Sequence, residues 1–165
     1  MKKVFRKNNI IVQVFVVVIG ILLMSWIWME KRDTYYYPSS IPDGYSYVQP
    51  ENDVIEGAFG IGFIVDVSNE KHRIRITTYK QPSKDKQLDM ICGKEGLEGY
   101  SDIQVLMLNK KRICSYTYTN GSNISKKYYL ILGNKLVSIS ENDEPFVTNE
   151  EIYKMISSLE VKRRS

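Results

Sequence analysis

Hydrophobic positions follow three different periods along this chain, and each predicts a different element. From Ile10 to Met29 (IIVQVFVVVIGILLMSWIWM) they are continuous: twenty residues without a charge, thirteen of them Val, Ile, Leu or Phe. A helix of that length is roughly 30 Å long, which matches the hydrocarbon core of a bilayer. At about −0.3 to −0.6 kcal/mol per strongly apolar residue, the thirteen favour insertion by about −4 to −8 kcal/mol, enough to outweigh Gln13. The segment predicts a transmembrane signal anchor over 10–29. A buried core helix would need a polar face, and this run has none.

From Tyr45 onward the period is mostly two. Tyr45–Gln49, Ala58–Val67 and His72–Lys80 read as strands, the last with Ile74, Ile76 and Thr78 on one side. The turn Ser68-Asn69-Glu70-Lys71 makes a hairpin of the latter two, and Gly60 or Gly62 marks a bulge or a close approach. Further strands are expected at Asp102–Leu108, Arg112–Thr119, Ser125–Leu132 and Lys135–Ser140. Asn120-Gly121 and Gly133-Asn134 are strong hairpin turns between them.

Two stretches carry a helical period. After Pro82, Ser83 can cap a short helix to about Cys92, with Leu88, Ile91 and Cys92 on one side and Gly93 and Gly96 ending it. Near the end, Thr148-x-x-Glu151 is a capping box, and Ile152, Met155, Ile156 and Leu159 form one apolar stripe. Hairpin strands with two interspersed helices predict an α+β fold: an antiparallel meander sheet of about six or seven strands with two packing helices, preceded by one transmembrane helix. The expected organisation is a basic cytoplasmic tail over 1–9, the anchor over 10–29, a linker over 30–44, the α+β domain over 45–161 and a basic tail over 162–165.

Charge sets the orientation. Of 23 Lys+Arg and 19 Asp+Glu, residues 1–33 hold six and two, so the body carries seventeen of each sign and is neutral. Lys2, Lys3, Arg6 and Lys7 precede the apolar run, whereas Glu30, Lys31, Arg32 and Asp33 cancel after it. The positive-inside rule then puts the amino terminus in the cytoplasm and the domain outside the cell membrane. Trp26, Trp28, Tyr35 and Tyr36 are candidate anchors at the outer membrane interface; the alternative for the tyrosines is a first strand of the domain. A cleaved secretory signal is the competing reading, but Ser-Trp-Ile-Trp-Met-Glu offers no small-x-small cleavage pair. No cysteine follows the run to carry a lipid.

The order of elements resembles small domains of uncharacterised function in Gram-positive bacteria that stand outside the membrane behind one anchor. Their architecture is similar to the PsbP/Mog1 type of antiparallel sandwich. The residues that carry this are Ile41-Pro42-Asp43-Gly44-Tyr45, Arg73-Ile74-Arg75-Ile76 and Glu150 to Leu159, within a stretch of about 41–159. The resemblance implies a domain on the outer face of the membrane and assigns no catalytic residue.

Candidate chemistry is sparse. The single His72 lacks a nucleophile signature to serve, and Gly57–Gly62 (GAFGIG) runs into a strand rather than opening a helix, as a phosphate cradle must. The acidic loop Glu141-Asn142-Asp143-Glu144 is too sparse for Ca²⁺. No catalytic, cofactor-binding or metal-binding residue is assigned, and no cofactor. Cys92 and Cys114 could pair in an oxidising compartment; otherwise they are two small buried hydrophobes. Tyr116, Tyr118, Tyr128 and Tyr129 are candidates for a protein-contact face, with core packing as the alternative. The neutral body gives no footprint for nucleic acid. The sequence therefore predicts a non-catalytic binding domain of the cell envelope, a sensor, accessory or immunity-type protein whose partners are the bilayer and another protein or envelope component. An envelope enzyme and a cleaved secreted domain are the alternatives.

Overall fold

The structure is a computed structural model that describes residues 14–24, 34–48, 54–57, 59–142 and 144–163. It divides into two compact units, one of residues 1–33 and 163–165, the other of residues 34–162. In the first unit, helix α1 covers 14–24, the middle of the expected anchor, and every one of its residues is exposed. Among the described residues no helix is long and apolar enough to cross a membrane. Residues 10–13 and 25–29 of that expectation, including Trp26 and Trp28, lie outside the described residues, as does the tail over 1–9.

The second unit is α+β. Its strands are β1 (Thr34–Pro38), β2 (Ser46–Val48), β3 (Val54–Gly57), β4 (Gly60–Ser68), β5 (Arg73–Pro82), β6 (Tyr100–Leu108), β7 (Lys111–Asn120), β8 (Asn123–Leu132), β9 (Lys135–Asn142) and β10 (Leu159–Arg163); its helices are α2 (Asp85–Cys92) and α3 (Asn149–Ser157). Eight strands form one sheet in the order β2-β4-β5-β9-β8-β7-β6, with β3 also paired to β4. All its pairings are antiparallel. Local chemistry sets each reversal. Asn69 Oδ1 accepts from the Lys71 and His72 N–H groups at 2.9 and 2.8 Å, closing β4 onto β5. Asn109 and Lys110 (φ 49° and 64°) form the two-residue turn from β6 to β7, and Gly121 (φ 61°) helps turn β7 into β8.

The central strands are apolar on both faces, so each face needs a cover. On one, Val65, Ile76, Ile139, Tyr128, Leu130 and Ile113 meet Ile152, Met155 and Ile156 of α3. On the other, Tyr79, Cys114, Tyr116, Tyr129 and Leu136 meet Leu88 and Ile91 of α2. The glycines of GAFGIG are structural. Gly60 (φ 94°) opens β4 after the β3 turn, and a Cβ on Gly62 would lie 2.7 Å from Thr77 Cγ2 on β5.

Three expectations are corrected. Ser83 does not cap α2: Lys84 occupies the N-cap without a side-chain bond, while Ser83 N–H donates to the Asn134 carbonyl at 2.7 Å. Pro82 still pairs with Lys135, so the sheet claims the residue that the helix would need. The apolar stripe of α3 stops at Ile156, and Leu159 instead opens β10, which pairs with β1 as a separate two-stranded sheet. Residues 34–44 and 162 are therefore part of the fold rather than linker and tail. Ser39 and Ser40 N–H groups donate to Ser158 at 3.1 and 3.0 Å, and Lys162 Nζ lies 3.6 Å from the Tyr37 ring centroid.

Ile139 is fully buried at the centre of the sheet, so Ile139→Ala should cost about 2–5 kcal/mol in urea unfolding. Val161→Ala on exposed β10 should change stability by less than about 0.5 kcal/mol. Equal costs would contradict this placement of the core.

Candidate functional site

Pairing register turns the α3-covered face from apolar to polar near one end. One row runs Gln104, Ser115, Tyr128, Ile139, Ile76 across β6, β7, β8, β9 and β5; the next places Thr117, Lys126, Glu141 and Ile74 side by side. The chain after β9 folds back over this end and enters α3 at Asn149. Its Thr148 side chain caps the helix, accepting from the Glu151 N–H at 3.4 Å and donating to Glu151 Oε2 at 2.7 Å.

Between strands and returning chain lies a concavity of about 280 Å³. Asp102 and Gln104 of β6, Ser115 and Thr117 of β7 and Lys126 of β8 form its floor; Glu144, Phe146 and Asn149 form the wall. Lys126, Glu144, Phe146 and Asn149 also line the adjoining concavity beside Pro145. Asn149 Oδ1 accepts from Lys126 Nζ at 2.7 Å and from the Tyr128 hydroxyl at 3.4 Å. Asp102 stands at positive φ (51°) in a β-bulge between Ser101 and Gln104, which aims it into this cleft.

Beneath the returning chain sits Glu141, only 3% exposed. Its Oε2 accepts from the Val147 N–H at 2.8 Å, while Oε1 has no hydrogen-bond partner among the described residues. Burial holds the carboxyl above the ordinary glutamate range, against the bond from Val147 and the charge of Lys126, which pull it down. The same burial, with Glu141 beside it, pushes the Tyr128 hydroxyl well up. The cleft offers mixed donors and acceptors around one aromatic ring, an arrangement suited to holding a polar ligand rather than activating a nucleophile. Among the described residues no group of three or more His, Cys, Asp or Glu could hold a metal ion. His72 stands on the β4–β5 turn.

The opposite face places the remaining candidates. Cys92 at the end of α2 and Cys114 of β7 form a disulfide, their Cα atoms 5.7 Å apart. Tyr116, Tyr118 and Tyr129 lie on this face with Tyr100, Tyr79 and Phe59 in one aromatic cluster, and the Tyr116 and Tyr129 hydroxyls are 3.2 Å apart. Tyr128 points to the other face, because neighbours on a strand alternate. Tyr116, Tyr128 and Tyr129 are buried, so the four do not make a common contact surface. Tyr35 and Tyr36, expected at a membrane interface, pack on the core from β1, and Tyr36 N–H donates to Thr78 Oγ1 at 2.9 Å.

Glu141, Lys126 and Asn149 were missed as a group. Glu141 continues the inward alternation of Val137 and Ile139, and that signal alone marks it as a buried acid.

No family model matches the chain, and no curated protein matches it either. Among solved structures it is similar to a crystal structure, at 1.50 Å, of a protein from Bacteroides thetaiotaomicron VPI-5482, with a TM-score of 0.45 and 11% identity over 80% of this chain. The chain spans 49% of that protein's length. A likeness at this level carries no argument about fold or function.

Because Glu141 is held up in the folded state, its contribution favours folding most at low pH and is lost as pH rises through its folded value. Urea unfolding between about pH 4 and pH 8 should show wild-type stability falling relative to Glu141→Gln, with the variant ahead at the upper end. Parallel profiles would mean that the carboxyl titrates in the fold as it does in the unfolded chain, so that burial does not hold it up.

Proposed function

We propose that this chain is a membrane-anchored, extracytoplasmic domain of the cell envelope that binds another protein or envelope component without catalysis, through the cleft above Lys126. The observation that carries this reading is the Cys92–Cys114 bond, since such bonds persist in oxidising compartments and are rare in the cytosol. The basic residues before an uncharged run over 10–29 favour the same side for the body. Tethering accounts for the neutral body, which needs no charge to find a surface to which it is already attached.

The cleft supports binding rather than turnover. Its one lysine is committed to Asn149, its hydroxyls belong to Ser115 and Thr117 without a histidine base, and the buried acid beside it, Glu141, holds the Val147 N–H beneath the returning chain. Sensor, accessory and immunity-type roles all use such a domain.

A membrane-impermeant amine reagent on intact cells tests the placement, because Lys110 lies exposed at the β6–β7 turn. It should be labelled without lysis, on a full-size chain that stays with the membrane through an alkaline wash. Labelling only after lysis, or release of the full-size chain by the wash, would contradict the reading. Recovery of a shortened chain in the medium would favour the secreted form.

A further inference from the structure

The sheet ends in two unlike edges. At one, β2 and β3 are three and four residues long, and neither offers a template of any length. At the other, β6 is nine residues long, and Ile103 to Leu108 (IQVLML) contains no charge and no proline. Natural edges are guarded by brevity, lysine, proline or a bulge. Here the bulge at Asp102 guards only the first third.

Register fixes which backbone groups face outward. Asn109 and Lys110 form a two-residue turn, so the flanking pair Leu108–Lys111 exchanges hydrogen bonds, as do Leu106–Ile113 and Gln104–Ser115. Counting back from the β7–β8 turn gives the same parity: Asn120–Asn123, Tyr118–Ser125, Tyr116–Lys127 and Cys114–Tyr129 are bonded pairs, leaving the odd-numbered residues of β7 to bond β6. Val105 and Met107 therefore aim their N–H and C=O away from β7. These two also expose apolar side chains, at 52% and 66% of their surface. Among the described residues, unpaired rungs and exposed apolar side chains fall on the same two residues.

We propose that β6 is an interface between two copies of this chain, joined antiparallel across a twofold axis at Leu106. In that register Val105 of one copy bonds Met107 of the other, and Met107 bonds Val105, so the four outward groups on each strand are satisfied by the same four on its partner. The pairing also brings Asp102 of each copy opposite Lys110 of the other, so acid meets base at both ends of the ribbon. A shift of two residues either way breaks this match, placing Asp102 opposite Leu108 or beyond the turn. A twofold normal to the sheet keeps α2 of both copies on one side. Gln104 and Ser115 bond inward and stay with the cleft, while the exposed Asp102 at its rim is shared with the new edge.

The mass of the full chain in detergent, by light scattering across a concentration series, tests this. A dimer should form, and Val105→Pro should raise its dissociation constant at least tenfold while circular dichroism is unchanged, since the lost N–H faced outward. Asp102→Lys should weaken the dimer, and Asp102→Lys with Lys110→Asp should restore it; this swap decides the matter if the proline variant misfolds. A chain that stays monomeric overturns the proposal. So does a dimer indifferent to these changes, which would owe its association to another surface, or a swap that fails to restore.

Discussion

Two apolar faces on one sheet are the constraint on which everything else in this body depends. Val65, Ile76, Ile139 and Leu130 point one way and Tyr79, Cys114, Tyr129 and Leu136 the other, so no single layer can hide both. The covers differ in strength. α3 brings a capped amino terminus and three fully buried side chains. α2 is eight residues long with two buried side chains, Leu88 and Ile91. At about 1.5–3 kcal/mol each, these two do not offset the roughly 1–2 kcal/mol per residue needed to order eight backbone positions. The Cys92–Cys114 bond narrows that shortfall: tying residues 22 apart in sequence is worth about 3 kcal/mol in the chain-entropy picture. The Asp89–Arg112 ion pair between the same helix and β7 is half exposed and adds little.

The cleft follows from the limits of the other cover. α3 shields the rows through Ile139 and Tyr128, but only its first residue, Asn149, reaches the row of Thr117, Lys126 and Glu141. Polar side chains there would be wasted under a helix; beside one, they line a depression. Glu141 is the exception, buried by the returning chain with one oxygen unpaired among the described residues, which costs stability unless the carboxyl keeps its proton. Its Val147 bond ties the returning chain to the sheet, so the shape of the cleft and the ionisation of this acid are linked.

How much of this was legible in the sequence depended on the range of the interaction. The β4–β5 hairpin, the meander from β6 to β9 and the capping box at Thr148 were all readable, because alternation, turn residues and caps act within a few positions. β3 was not: Val54–Gly57 is four residues long, and its strand character comes from pairing across a turn that the glycine run disguised. The β1–β10 pair joins residues more than a hundred apart, a contact that no local pattern encodes. Alternation was also the information needed to separate Tyr128 from Tyr129, which lie on opposite faces although adjacent. The inward place of Glu141 was written in the same period and was overlooked because its acidic neighbours suggested a loop.

The central claim is that α2 is held to the sheet by a covalent bond kept intact in an oxidising compartment. Alkylating the protein as it is drawn from its own cells, with acid quenching, and reading both cysteines by mass spectrometry tests this most directly. The account predicts that neither Cys92 nor Cys114 takes up reagent until a reductant is added under denaturing conditions, after which both do. Two freely alkylated thiols in the unreduced, unfolded chain would contradict it.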